Sequence, residues 1–262
     1  MLKKDVKSDI EKQREHFDRV AQQYVSAHQD PKCVYVMDAI FGELFAAAHF
    51  SETDIAVLDA MCGSAFGYAL FAKYLKTPFI YEGFDYSENM VVFAKQKYPD
   101  LHIYQQDITT FSPQKQYDIA IIIGGLHHVY AQRHVAARNI ADALKPGGLF
   151  LNFEPTHNNK LFDAVRSYIY RNNPQFDADT ECDFSTEELN ELMTENGFSV
   201  DTQFFPGLLA YVLWGNPDVF PWLNRGNLWI AKKLVKIEKI FWRTRLARFL
   251  SFVTVSAYLK TR

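Results

Sequence analysis

Two carboxylates and a glycine turn have the types and spacing to do chemistry in this sequence. Asp59 lies near the end of an apolar run and leads into a small-residue turn, VLDAMCGSAFG at 57–67. A strand that ends in such a turn and enters a helix brings backbone close to a ligand, with helix N–H groups pointing at it. Asp85 ends a second apolar run, in GFDYSENM at 83–90. A carboxylate there offers two acceptor oxygens, enough for both hydroxyls of a ribose. His127 and His128 follow a further run, in IGGLHHV at 123–129. An imidazole titrates near neutrality and suits a general base for a phenol, enol or amine, although a loop histidine also serves simply as a hydrogen-bonding strut. Glu154 and His157, past the next apolar run, are alternatives for the base. No HExxH or nearby cysteine completes a zinc site around the histidines. A dinucleotide oxidoreductase needs G-x-G-x-x-G, and no glycine lies two residues before or after Gly63.

These residues need strand ends to hold them, and the sequence supplies a regular alternation. Short apolar runs at 55–60, 79–84, 101–105, 117–123 and 149–154 read as strands, separated by helical stretches after 67, 87 and about 132. YDIAIII at 117–123 is nearly continuous, as in a central strand covered on both faces. The rhythm predicts a parallel sheet with helices on both faces. The first 50 residues read as two helices broken at Asp30-Pro31, with Ile10, Phe17, Val20, Ala21 and Tyr24 at helical spacing in the first. Ser185 and Glu188 form a capping box, and Gly197 stops the helix they open. Runs at 198–205 and 251–260 read as two more strands, the last alternating like an antiparallel edge strand.

Three further segments, QQDI at 105–108, IGGLHHV at 123–129 and LKPGG at 144–148, follow the Asp59 and Asp85 motifs in order. The series resembles class I S-adenosylmethionine (SAM)-dependent methyltransferases, most closely their small-molecule branch of ubiquinone- and menaquinone-pathway enzymes. FDRVAQQY at 17–24 is similar to that branch's N-terminal helix. The resemblance covers 17–205 and, more loosely, the last strand. It implies a Rossmann-like α/β fold, a seven-stranded, mostly parallel sheet whose last strand is antiparallel, and SAM as cofactor. By position, Asp59 and the backbone of Ala60, Met61, Cys62 and Gly63 would surround the methionyl part of SAM. Asp85 would bind the ribose hydroxyls, and Tyr86 and Met90 would flank adenine. Asp107 would accept from the adenine amino group and Ile108 would offer its N–H. Gly124 and Gly125 would let the fourth strand approach the sulfonium, and Tyr24 would cover the pocket. The family's D-x-G-x-G-x-G reads Asp59-Ala60-Met61-Cys62-Gly63-Ser64-Ala65 here, keeping the middle glycine only. Met61 forbids an easy positive φ at the first of those positions. Methyl transfer implies in-line alignment of donor and acceptor with water excluded, with His128 or His127 as the base where one is used.

The 262 residues divide into a helical cap (1–50), a core (51–205 and 251–262) and a helical insertion or lid (206–250). Hydrophobic residues at 48% mark a globular chain. Three scattered cysteines fit a reducing compartment, and without an apolar leader or a span-length run the chain reads as cytoplasmic. The net charge of -3 hides an acidic body and a C-terminal stretch, from 206 onward, with ten Lys/Arg and two Asp/Glu. An acidic body argues against nucleic acid as partner, and the amino-DNA methyltransferase signature Asn/Asp-Pro-Pro-aromatic is absent. A helix is expected over 228–250, with Ile230, Leu234, Ile237 and Phe241 on one face and Lys232, Lys236, Lys239 and Arg243 nearly opposite. Trp214, Phe220, Trp222 and Trp229 gather before it. The plain reading packs the apolar face on the core as a lid over a small, aromatic or apolar substrate. The sharper one lays the basic amphipathic helix on a membrane as a peripheral contact. A non-catalytic SAM-binding or partner-binding module is the other alternative.

Overall fold

The computed structural model describes residues 6–50, 55–159, 164, 168, 182, 184–217 and 221–261. Seven strands form one sheet: β1 (Ile55–Ala60), β2 (Phe79–Asp85), β3 (His102–Gln105), β4 (Tyr117–Ile123), β5 (Leu144–Pro155), β6 (Phe198–Phe204) and β7 (Val253–Lys260). Their order is β3-β2-β1-β4-β5-β7-β6. All pairs are parallel except those of β7, which runs antiparallel to both β5 and β6. This is the seven-stranded Rossmann-like sheet that the family resemblance implied. The β1 and β4 carboxyl ends, where the order reverses direction, form the crevice in which open α/β sheets bind ligands.

One expectation about the sheet is corrected. The last strand is antiparallel but not at the edge; β7 lies inside and β6 is the edge. Its alternation of polar and apolar residues does not mark a solvent face. Thr254 and Ser256 are buried, and the Thr254 hydroxyl meets those of Thr156 (2.9 Å) and Thr186 (2.7 Å) while Ser256 accepts from Gln203 (2.8 Å). Satisfied hydroxyls let a polar stripe lie in the interior.

Two cores flank the sheet. One holds α2 (Pro31–Ala47), α3 (Phe66–Tyr74), α7 (Leu209–Trp214) and α8 (Leu228–Glu238) against residues such as Val57, Ile119, Leu151 and Val255. The other packs α5 (Arg133–Ala143) and α6 (Thr186–Glu195) against Leu58, Ala120, Phe150 and Tyr258. The Ser185–Glu188 capping box opens α6 as expected. The break between α1 (Val6–Ala27) and α2 falls at Asp30, whose carboxylate accepts the Lys32 N–H at 2.8 Å and caps α2. Of the helical pattern read in α1, the Ile10 and Val20 side chains lie outside the described residues. α1 contacts α4 (Glu88–Lys97) and the 3-10 segment Leu126–Gln132, two elements that flank the crevice.

The helix expected over 228–250 is two helices, α8 and α9 (Arg245–Leu250), joined by a turn. Thr244 caps α9 by accepting the Ala247 N–H, so the chain restarts there without proline or glycine. The orientation of α8 also differs from the expectation. Ala231, Val235 and Glu238 face inward and Leu234 packs against the core as expected, whereas Ile230, Ile237 and Phe241 are exposed. Lys239 and Arg243, two residues of the basic face, reach Glu43 on α2 at 2.9 and 3.0 Å. Trp214 is buried, Trp222 and Trp229 are exposed, and Phe220 lies outside the described residues.

Candidate functional site

The turn after β1 sets the site. Met61, Gly63 and Ala65 have φ of 58°, 53° and 60°. All three positions where the family motif places glycine therefore keep a left-handed backbone here, two of them with a side chain. Each such non-glycine residue costs about 1–2 kcal/mol. The turn is held by backbone bonds from Cys62 to Phe84 O and from Ala65 to Cys62 O, both 2.9 Å. The Gly63 N–H donates to Asp85 Oδ2 at 2.8 Å.

Asp85 is buried at the end of β2, and its Oδ1 accepts the Ser87 N–H at 2.9 Å. Burial pushes its carboxyl up to about 6. The Ser87 and Gly63 N–H groups oppose that rise, and the Asp18 carboxylate adds to it. Each carboxylate oxygen thus holds one backbone donor, and a carboxylate oxygen has room for two.

Asp59 lies beneath the turn. Its carboxylate accepts from the Tyr81 hydroxyl at 2.6 Å. It also lies under the first turn of α3, where a Cβ on Gly67 would stand 2.2 Å from Oδ2. Gly67 is what allows α3 to sit on this carboxylate. Burial pushes Asp59 up to about 7, against the Tyr81 hydrogen bond and with Asp85 adding to the rise.

A cleft above these residues is lined by Gln13, Met61, Tyr86, Gln106, Asp107, Ile108, His128 and Val129. Five of the residues singled out in the sequence meet there: Met61, Tyr86, Asp107, Ile108 and His128. Asp107 is fixed by the Thr109 N–H (2.8 Å) and hydroxyl (2.9 Å). Met90 is buried in the first turn of α4, whose cap is Ser87 Oγ. Gly124 follows β4 with a φ of 63° and donates to Phe153 O at 2.7 Å. Cys62 and Ala60 are buried in the wall of the turn. Met61 reaches across, since a Cβ on Gly125 would stand 2.9 Å from its Sδ.

The two histidines divide. His127 is buried, with Nδ1 2.6 Å from Glu154 Oε1. Glu154 also accepts the N–H groups of Leu126 (3.3 Å) and His127 (3.0 Å), so this end of β5 fixes the loop after β4. His128 faces the cleft, edge-on to Phe17 with ring centroids 4.7 Å apart. Tyr24 lies outside the lining; it is 37% exposed and its ring stands 4.0 Å from that of His28. Sequence reasoning missed Gln13, Gln106 and Val129. Gln13 lies four residues before Phe17, on the same helical face, and that spacing was the available signal. It also missed Asp18, which accepts from Ser87 Oγ (2.6 Å) and whose backbone carbonyl accepts from Asn89 Nδ2 (2.8 Å), latching α1 to the turn before α4.

The comparisons agree with this geometry. Residues 57–148 match the family model described as a methyltransferase domain. Among curated proteins none matches the sequence. Solved structures share the fold. One is a chain of the complex between the Haloferax volcanii Trm112 methyltransferase activator and a methyltransferase (TM-score 0.62, 19% identity, 95% of this chain and 97% of that one). Another is the cyclase SpnF (TM-score 0.58, 16% identity, 85% and 80%). A third is a SAM-dependent methyltransferase from Geobacter sulfurreducens in complex with S-adenosyl-L-homocysteine (TM-score 0.55, 16% identity, 84% and 90%). The chain thus has the Rossmann-like methyltransferase fold, and its residues 57–148 match the methyltransferase domain family.

Proposed function

We propose that the chain is a SAM-dependent methyltransferase acting on a small, aromatic or apolar acceptor. The observation that carries the reading is Asp85, buried at the end of β2 and joined through Gly63 N–H to the left-handed turn beside the cleft. That pair fits a ribose held against a backbone cradle. Tyr86 and Ile108 fit the faces of an adenine, and Asp107 its amino group. The methionyl end is narrower, because Met61 takes space that glycine would leave. Asp59 supports the turn from beneath in this reading and does not touch the cofactor.

When bound, SAM supplies a methyl group on a positively charged sulfur, a good leaving group. The chain's own task is alignment and exclusion of water. Gln13 and Phe17 of α1 and His128 close over the cleft. His128 is the group placed to take a proton from an acceptor hydroxyl or amine. His127, held by Glu154, positions the loop that carries it. A place in the cytoplasm, and membership of the quinone-pathway branch, belong to the same proposal.

Formation of S-adenosylhomocysteine from SAM tests the reading, with phenols, enols and amines as acceptors. Acceptor-dependent product is expected, and in His128→Ala the rate falls about 10²-fold or more and loses its rise with pH. SAM binding without product for any acceptor class would mean a binding module instead.

A further inference from the structure

We propose that the outward face of α8 and the turn after it is a docking surface for an anionic lipid bilayer. A soluble helix normally turns its large apolar side chains inward. α8 keeps only part of its apolar surface inside: Ala231 and Val235 are buried and Leu234 packs against the core, while Trp229 and Ile237, with Ile240 in the turn that follows, are 62%, 57% and 77% exposed. Large exposed side chains in one short stretch mark an interaction surface.

The charge says what kind. Residues 221–250 hold eight Lys/Arg, of which Lys239 and Arg243 pair with Glu43 and Arg248 with Glu187, and one carboxylate, Glu238. Glu238 is buried, accepting the Ala210 N–H at 3.0 Å. The outer arc of α8 therefore carries cations among its apolar side chains and no anion. Lys233 lies over the Trp229 ring, 3.8 Å from its centroid, Lys236 is exposed near the same arc, and Lys232 borders it with its ammonium over the Tyr35 ring of α2 at 5.6 Å. Lysine stems run along apolar surface with the ammonium reaching outward, and an indole favours the boundary between headgroup and chain. A second copy docked through the same face would bring cations against cations. An anionic bilayer offers negative charge with apolar material beneath it, complementary to both features. The contact is peripheral: among the described residues no helix is long and apolar enough to cross a membrane. The surface does not rest on the cofactor reading, but it would bring the cleft to lipid-phase acceptors.

Co-sedimentation of the full chain, without SAM, tests this with vesicles of phosphatidylcholine and of an equimolar phosphatidylcholine–phosphatidylglycerol mixture. The chain should sediment with the mixed vesicles only, and less as salt rises. Replacing Lys232, Lys233 and Lys236 together by Gln should weaken binding on the order of a hundredfold. Trp229→Ser with Ile237→Ser should abolish it while the circular dichroism spectrum stays that of the wild type. A chain that stays in the supernatant with both vesicles, or binds both equally, overturns the proposal. So does a concentration-dependent dimer that Ile237→Asp dissociates. None of these outcomes bears on SAM binding, which calorimetry reads separately.

Discussion

Met61 holds the backbone shape of a glycine without being one. Its φ of 58° carries the penalty of a left-handed L-residue, and its thioether reaches toward Gly125 across the cleft. The two effects separate by substitution. Met61→Ala removes the side chain and keeps the penalty; Met61→Gly removes both. The Gly variant should be more stable than the Ala variant by about 1 kcal/mol in denaturant unfolding, even though glycine loses more chain entropy elsewhere. Equal stabilities would mean that the turn adapts without strain. Both variants should bind SAM more tightly than the wild type, because both clear the methionyl end. At this scale the sequence was informative where chemistry demands a residue type. The motifs singled out Asp107 and His128, which line the cleft, and Asp85, which is buried beside the turn next to it. It was less informative for Asp59, since nothing in the motif announces that Tyr81, on the neighbouring strand, will supply its hydrogen bond.

Among the described elements, α1 borders the cleft through Gln13. It is tied down through Asp18, which accepts from the Ser87 hydroxyl and the Asn89 N–H (3.3 Å). Asp18→Ala should release it, raising the SAM dissociation rate about tenfold in stopped-flow experiments. An unchanged rate would show that α1 does not gate the site. Strand positions were legible because fully buried parallel strands are written as unbroken apolar runs, as in β4. The α8–α9 segment was not. Apolar spacing identifies a helical face but does not say whether that face meets the core or the solvent. The inward arc mixes Ala231, Val235 and a buried Glu238, a set that no apolar stripe in the sequence marks out. The break before α9 rests on Thr244 alone, a weak signal within a basic stretch. The interior place of β7 was hidden for a related reason, because Thr254 and Ser256 find hydroxyl and amide partners inside the molecule.

For the molecule as a whole, buried carboxylates set the pH dependence. Burial raises Asp59 and Glu238 to about 7 and Asp85 to about 6. The folded chain keeps these protons where the unfolded chain has already lost them. Their contribution to stability is therefore complete below about pH 4 and is lost as pH rises to about 7. Glu43 and Glu82 act oppositely. Burial alone would raise them, but Lys239 and Arg243 at Glu43, and Lys115, Tyr117 and Tyr104 at Glu82, bring them below the ordinary value; their contribution is lost at lower pH, as acid protonates them. Between pH 5 and 8 the unfolding midpoint of the ligand-free chain should fall, and Asp59→Asn should flatten the decline. A midpoint that rises over that range would contradict the burial assigned to the three groups.

Ribose hydroxyls donated to Asp85 would stabilise its ionised form, so SAM should bind more tightly as pH rises through about 6. Calorimetric titration of SAM into the wild type and Asp85→Asn, above and below that pH, reads the central claim directly. The account predicts one SAM per wild-type chain, affinity about ten- to a hundredfold weaker in the variant, and a pH dependence that disappears with the carboxylate. Equal affinity in the two proteins at both pH values would contradict it.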